Sequence, residues 1–314
     1  MSESQALVRT FDAATAPRGA FRHILPILDF PRVVWDSRNL VANFARREFL
    51  ARYRGSTLGP AWVVVQPLLM FVIYYLVFGM LFGNYRAGQP PDPNFAFYLF
   101  TGTMGFSALA EATTNHCGVV VGNGNLVKKV AFPSEVLPLP GTLVTLSTYL
   151  VGVAVVWIAW AVCSLCGIEV ASMRLSWTML MLPVVLAIQF MMILGIGLFL
   201  ANLYVFVRDI RHIWGIVTMV WMFLSPVFWA PATVVEKLGQ ETAELLFAFN
   251  PAYSMLMSQR IALGAADAVV DGGMSLHFGA FWGHLGISAA WAVGFFVLGF
   301  STFVSRKRKY ADLV

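Results

Sequence analysis

The chain has 314 residues, 59% of them hydrophobic and only 12% charged, with a mean hydropathy of +0.73. A soluble domain carries about 25% charged residues, so a water-soluble globular fold is excluded and a multi-pass membrane protein is indicated. The net charge of +5 does not indicate nucleic acid, because the basic residues cluster between apolar runs instead of spreading over a surface with interleaved aromatics.

Residues 1–37 are polar to mixed, and Pro17, Pro26 and Pro31 argue against a long helix there. The start, MSESQALVRT, lacks an apolar core beside its first charges, so no cleavable signal peptide is expected and the N-terminus is expected in the cytoplasm. A helix is predicted from Arg38 to Arg54. At about 100° per residue, Leu40, Val41, Phe44, Ala45 and Phe49 share one half while Arg46, Arg47 and Arg54 lie on the other. Leu50 and Arg52 break this pattern. Such a helix either lies in the inner headgroup layer, steered there by anionic lipid, or is an ordinary basic cytoplasmic helix.

A turn-prone segment, Arg52 to Ser56, then leads through Leu58-Gly59-Pro60 into Ala61–Gly83, 23 residues without a charge. At about 1.5 Å per helical residue this run crosses the ~30 Å hydrocarbon core of a bilayer. Five further apolar segments follow near residues 95–114, 141–163, 177–203, 213–230 and 283–304. The expected fold is therefore all-α and polytopic, with six transmembrane helices. Seventeen of the 21 Lys and Arg residues fall on one side of this topology, which places both termini in the cytoplasm. Arg86, Arg174, Lys237 and Arg260 fall on the other side, and none falls inside a span. The predicted organisation is an N-terminal extension (1–37), an interfacial amphipathic helix (38–57), a six-span transmembrane domain (58–305) and a basic cytoplasmic tail (306–314).

The connections carry further information. Pro90, Pro91 and Pro93 stiffen a short outer loop. In the long outer region 231–282, the segments Ala243–Phe249 and Tyr253–Leu263, joined by Asn250-Pro251, are too short to cross. They are either interfacial or re-entrant helices, or ordinary outward-facing ones. The inner loop Val121–Glu135 gathers Leu126, Val127, Val130 and Phe132 beside Lys128 and Lys129. This patch either docks a soluble partner or packs on the protein's own inner helix ends.

Catalytic and metal chemistry find no support. No G-x-x-x-x-G-K-[ST], H-E-x-x-H or G-x-S-x-G occurs, so neither a catalytic residue nor an ATP site is expected in this chain. The five histidines are scattered, and His277 and His284, seven apart, have no nearby carboxylate, so no metal site is expected. Cys163 and Cys166 end an apolar run and read as small hydrophobic helix residues; with Cys117 they imply no disulfide framework. The middles of the spans hold no Asp, Glu, Lys or Arg, and Glu111 lies near the end of the second. A proton- or sodium-driven transporter usually needs such groups, so the energy for transport is expected from elsewhere.

Several motifs in order carry a family resemblance: Arg47-Glu48, Arg52-Tyr53-Arg54, Ser56, Leu58-Gly59-x-x-Trp62, Gln66-Pro67-Leu68, Tyr74 and Val77-Phe78-Gly79. They continue with Phe132-Pro133-Ser134-Glu135-x-Leu137-Pro138, Arg208-Asp209-Ile210, Ser225-Pro226 and Asn250-Pro251. Together they span residues 38–305, and the chain resembles the ABC-2 type permeases that export O-antigen, teichoic acid and capsule polysaccharides. The resemblance implies a homodimer in the bacterial inner membrane, with two separate ATPase subunits that bind ATP and Mg on the cytoplasmic side. It implies that a lipid-linked glycan enters where the amphipathic helix meets the first span. By analogy Leu58 and Gly59 lie in the access loop, and Arg46, Arg47, Arg52 and Arg54 sit near the pyrophosphate of the lipid carrier. Asn123, Asn125, Val127, Lys128 and Lys129 fall in the segment that docks the ATPase. Residues 1–37 have no counterpart in the family.

Sugar C–H faces stack on aromatic rings, so Trp62, Tyr74, Tyr75, Phe78, Tyr149, Trp157 and Trp221 are candidates to line a channel. Each also fits a helix-packing or interfacial-belt role, and the four arginines equally fit simple positive-inside anchoring or charge-assisted contact with a pyrophosphate. A permease for drugs or small lipids is the alternative within the same transport class. An intramembrane enzyme or scaffold is a third reading, and the spans offer no polar catalytic cluster for it.

Overall fold

The computed structural model describes residues 25–77, 93–129, 133–167, 175–229, 231–264 and 278–313. Among them all regular structure is helical. Phe78 and the end of the predicted first span, the loop residues 84–92 that follow it, and residues 130–132 of the predicted inner loop lie outside the described residues.

The chain begins with α1 (Leu25–Asp36) and α2 (Arg38–Arg52). Pro26 and Pro31 leave room for α1, a short helix in a stretch where only a long one was argued against. Pro26 sits in the first turn, where no N–H partner is lost, and Pro31 is carried inside a 12-residue helix. Phe30 anchors α1, with its ring 5.5 Å from Phe296 and 5.2 Å from Phe300. The ladder nearly continues through Ser37, whose N–H donates to Val33 while its carbonyl accepts from Val41 (both 3.0 Å). The boundary at 37 is thus a kink between two helices. Helix α2 ends at Arg52, two residues before the predicted end, and rests on α7 (Leu139–Leu165).

Four stretches are long and apolar enough to cross a bilayer: Gly59–Val77, which contains α3 (Trp62–Tyr74), Ser134–Leu165, Trp177–Phe206 and Phe281–Lys307. The predicted second span forms α4 (Pro93–Cys117), a 25-residue helix of sufficient length but lower hydropathy. It is an inner helix of the bundle, with Phe97, Leu99, Phe100, Phe106 and Leu109 essentially inaccessible. Its hydroxyls are satisfied within the helix, as Thr101 donates to the Phe97 carbonyl (2.9 Å), Thr103 to Leu99 (2.8 Å) and Thr113 to Leu109 (2.7 Å).

Two short helices, α5 (Val119–Gly122) and α6 (Gly124–Lys129), follow α4. Farther on, α8 (Leu182–Phe206) and the 36-residue α13 (Phe278–Leu313) form the most extensive helix pair. Gly195 lies against the backbone of Phe295 and Phe296, and Gly299 lies against the Gly195 carbonyl, so a side chain at either position would collide with main chain. Without a hydrophobic drive between helices in lipid, such small residues let two backbones approach and gain dispersion energy.

The predicted fifth span is interrupted. Helix α9 (Ile210–Leu224) has 15 residues and stops at Ser225-Pro226. Outside it come α10 (Pro231–Leu238), α11 (Gln240–Phe249) and α12 (Pro251–Ala262). Helix α11 is largely exposed, whereas Ala252 to Ala262 of α12 are all buried against α4, α8 and α13. An outward-facing α12 is therefore ruled out. The predicted tail is also helical: α13 continues to Leu313, and Tyr310 is fully buried, donating to Asn202 Oδ1 (3.0 Å).

Candidate functional site

Where α2 passes into α3, the backbone turns twice through left-handed glycines, Gly55 (φ 83°) and Gly59 (φ 51°). Nothing lies within 4 Å of where a Gly59 side chain would start. It is the backbone angle, not a close neighbour, that calls for glycine. Trp62 Nε1 donates to Ser56 Oγ (2.8 Å) and closes the loop on itself.

Behind this loop a cleft of about 690 Å³ opens between α3, α4 and α7. Of the residues singled out from the sequence, Arg52, Trp62, Tyr74 and Tyr149 line it together, with Tyr53, Gln66, Ser107, Glu111 and Thr145. Tyr149 and Thr145 are buried, and neither side-chain oxygen has a hydrogen-bond partner. Arg52 forms an ion pair with Glu111 at 2.7 Å, the arginine partly buried and the glutamate about half-exposed. Glu48, on the adjacent turn of α2, is half-buried, and burial pushes its carboxyl above the usual range despite Arg52 and Arg47 nearby.

The other predicted contacts do not gather here. Arg46 and Arg54 are exposed, Arg47 stacks its guanidinium 4.8 Å from the Phe44 ring centre, and Leu58 is exposed. Tyr75 is half-buried at the end of α3, outside the cleft lining. Trp157 donates to the Leu263 carbonyl (3.4 Å), tying α7 to α12. Trp221 donates to Asn250 Oδ1 (2.8 Å). After α4, Asn123 Nδ2 donates to the Val119 carbonyl (2.8 Å), Asn125 and Lys128 are exposed, and Lys129 closes α6. Val127 packs on the protein's own cluster around Val120, Phe303 and Tyr310.

Two clusters escaped the sequence reading. Asn250 joins two helix ends, because its Nδ2 donates to the Leu224 carbonyl (3.1 Å) while its Oδ1 accepts from Ala252 N (3.1 Å). The Ser225-Pro226 and Asn250-Pro251 motifs are therefore one junction. Arg260, assigned by charge counting to an outer loop, is 1% exposed in the core. Its Nη1 donates to Pro226 (2.7 Å), its Nη2 to Tyr98 (3.0 Å), and its guanidinium lies 3.6 Å from the centre of the Tyr98 ring. The single Tyr98 hydroxyl proton is shared between the carbonyls of Pro226 (2.9 Å) and Trp229 (2.7 Å). These side chains replace the helix bonds that α9 loses where it breaks, as non-helical backbone inside a membrane bundle requires. The second cluster joins Lys307 of α13 to buried Glu135 (3.3 Å) in the Phe-Pro-Ser-Glu stretch. No group of three metal-ligating side chains occurs among the described residues.

Long apolar helices around an aromatic cleft, with short helices tied into the bundle by side-chain caps, are the architecture of a multi-pass membrane protein. The chain belongs to the ABC-2 type transporter family, which it matches over residues 40–263. It is 26% identical to the O-antigen export system permease protein RfbA of Myxococcus xanthus, over 72% of this chain and 81% of that one. It is 24% identical to the protein of the same name from Klebsiella pneumoniae, over 88% of this chain and 95% of that one.

Proposed function

We propose that the chain is the transmembrane permease subunit of an ATP-driven exporter that moves a lipid-linked, O-antigen-like polysaccharide across the bacterial inner membrane. Two copies form the channel, and two copies of a separate nucleotide-binding subunit supply ATP and Mg chemistry on the cytoplasmic side. Helices α3, α4, α7, α8, α9 and α13 are the six spans, with α2 on the inner surface and both termini cytoplasmic. The observation that carries the substrate class is the cleft. It combines the rings of Trp62, Tyr74 and Tyr149 with the polar side chains of Gln66 and Ser107 and with Arg52, the set a glycan on an anionic lipid head would engage. The names of the relatives support the same cargo.

Deleting the gene tests this reading. Surface glycan is expected to disappear while lipid-linked glycan accumulates inside, and re-expression should restore export. Unchanged surface glycan with no internal accumulation overturns it. A drug or small-lipid exporter would instead show ATPase activity of the assembled complex that responds to small amphiphiles and not to lipid-linked glycan.

A further inference from the structure

Arg52 is the one arginine of the α2 segment that lines the cleft, and it is already engaged: Glu111 Oε1 sits 2.7 Å from its Nη1. Both members stay reachable, with side-chain exposures of 22% and 47%. The pair joins the end of α2 to α4 beside the cleft, whose lining also includes Tyr149 and Thr145 of α7. An exposed ion pair is worth about 1 kcal/mol or less, so a stronger anion displaces it readily. A phosphate or pyrophosphate head offers more charge and more acceptor oxygens to a guanidinium than one carboxylate does. Glu48 is the weaker intramolecular competitor, since it is half-buried and disfavoured as an anion.

Resting on the cleft as the cargo site, we propose that Glu111 is a specificity-determining residue. It holds Arg52 as an internal stand-in for the cargo's head group, and a phosphate-headed amphiphile enters by displacing it. Uncharged amphiphiles offer the guanidinium nothing in exchange for the carboxylate, so they leave the pair in place and bind no better when it is removed.

The full-length permease in phosphatidylcholine nanodiscs tests this with farnesyl pyrophosphate, farnesol and inorganic pyrophosphate as probes, binding being read from tryptophan fluorescence. Glu111→Gln, which is nearly isosteric, should tighten farnesyl pyrophosphate by about three- to fivefold, the factor an exposed ion pair is worth. It should leave farnesol unchanged. Arg52→Gln should reduce farnesyl pyrophosphate to the farnesol level, and inorganic pyrophosphate alone should bind more weakly than the amphiphile. Discs doped with phosphatidylglycerol show whether bulk anionic lipid competes for the same guanidinium. On the unaltered chain, carbodiimide labelling at Glu111 followed by peptide mass analysis should rise with farnesyl pyrophosphate and stay flat with farnesol. Equal binding of farnesyl pyrophosphate and farnesol, an unchanged or weakened affinity in Glu111→Gln, or labelling at Glu111 that ignores the probe each overturns the proposal. Loss of the export reading in the deletion test would leave these binding results standing, so the two failures are separable.

Discussion

Replacing Arg260 separates charge from geometry in the core. Its guanidinium makes two hydrogen bonds to carbonyls and a stack on Tyr98. Charge-assisted bonds are worth about 1.5–3 kcal/mol each, and a desolvated cation–π contact about 2 kcal/mol. Against this stands the cost of burying a charge with no carboxylate paired to it among the described residues, several kcal/mol in itself. Arg260→Met gives up the contacts and the burial cost together. It leaves no orphaned acceptor, because Pro226 keeps the Tyr98 hydroxyl and the Tyr98 carbonyl keeps Thr101 Oγ1. The net loss should be about 1–3 kcal/mol. Arg260→Lys keeps a buried charge, retains one bond at most and cannot stack, so it should lose about 3–5 kcal/mol. Thermal unfolding of the permease in detergent, at roughly 2 °C per kcal/mol for a chain of this size, should rank wild type above Met above Lys. A lysine variant as stable as wild type would refute the argument that the planar fork, and not the charge, is what the junction uses.

Other expectations follow from the same contacts. Gly59→Leu should impair export without preventing membrane insertion, through a left-handed backbone cost of about 1–2 kcal/mol, whereas Gly59→Asn should retain most export; equal export by both leucine and asparagine variants would contradict this. Reversing the Glu135–Lys307 pair by Glu135→Lys with Lys307→Glu should recover stability that either single change loses, as read in a double-mutant cycle. Because burial raises the Glu48 carboxyl above its reference of 4.5, the folded state holds that proton more tightly than the unfolded chain. The resulting stability is complete below about pH 4.5 and fades as pH rises through the raised value, and Glu48→Gln should flatten that part of the melting profile. Lys128→Glu on exposed α6 should weaken co-purification with the ATPase subunit. Val127 is the poorer probe, since it packs inward and its replacement would disturb the fold.

Local properties were legible in the chain because the cost of placing a side chain in lipid acts at its own position. Apolar runs, the helix after Arg38, the short pair of helices joined by Asn250-Pro251 and the loop glycines all came from neighbours within a few residues. Even so, α1 was not predicted, because the prolines in its sequence are local while the packing of Phe30 on Phe296 and Phe300 that holds it is not. The break in α9 was visible as Ser225-Pro226 but was absorbed into a longer apolar run.

Tertiary structure decided what those elements meet. Arg260 counts as one outer-loop cation in sequence, yet its partner Tyr98 lies 162 residues away, and Lys307 finds Glu135 at a separation of 172. No local pattern encodes such pairs, since they depend on which helix faces come together once the bundle closes. The same holds for the seven candidate aromatics, of which Trp62, Tyr74 and Tyr149 share a cleft while Trp157 and Trp221 use their indole N–H groups to tie helices together. Hydropathy settles that a segment enters the membrane, whereas its rotation and neighbours are set by packing and by where each buried donor finds an acceptor.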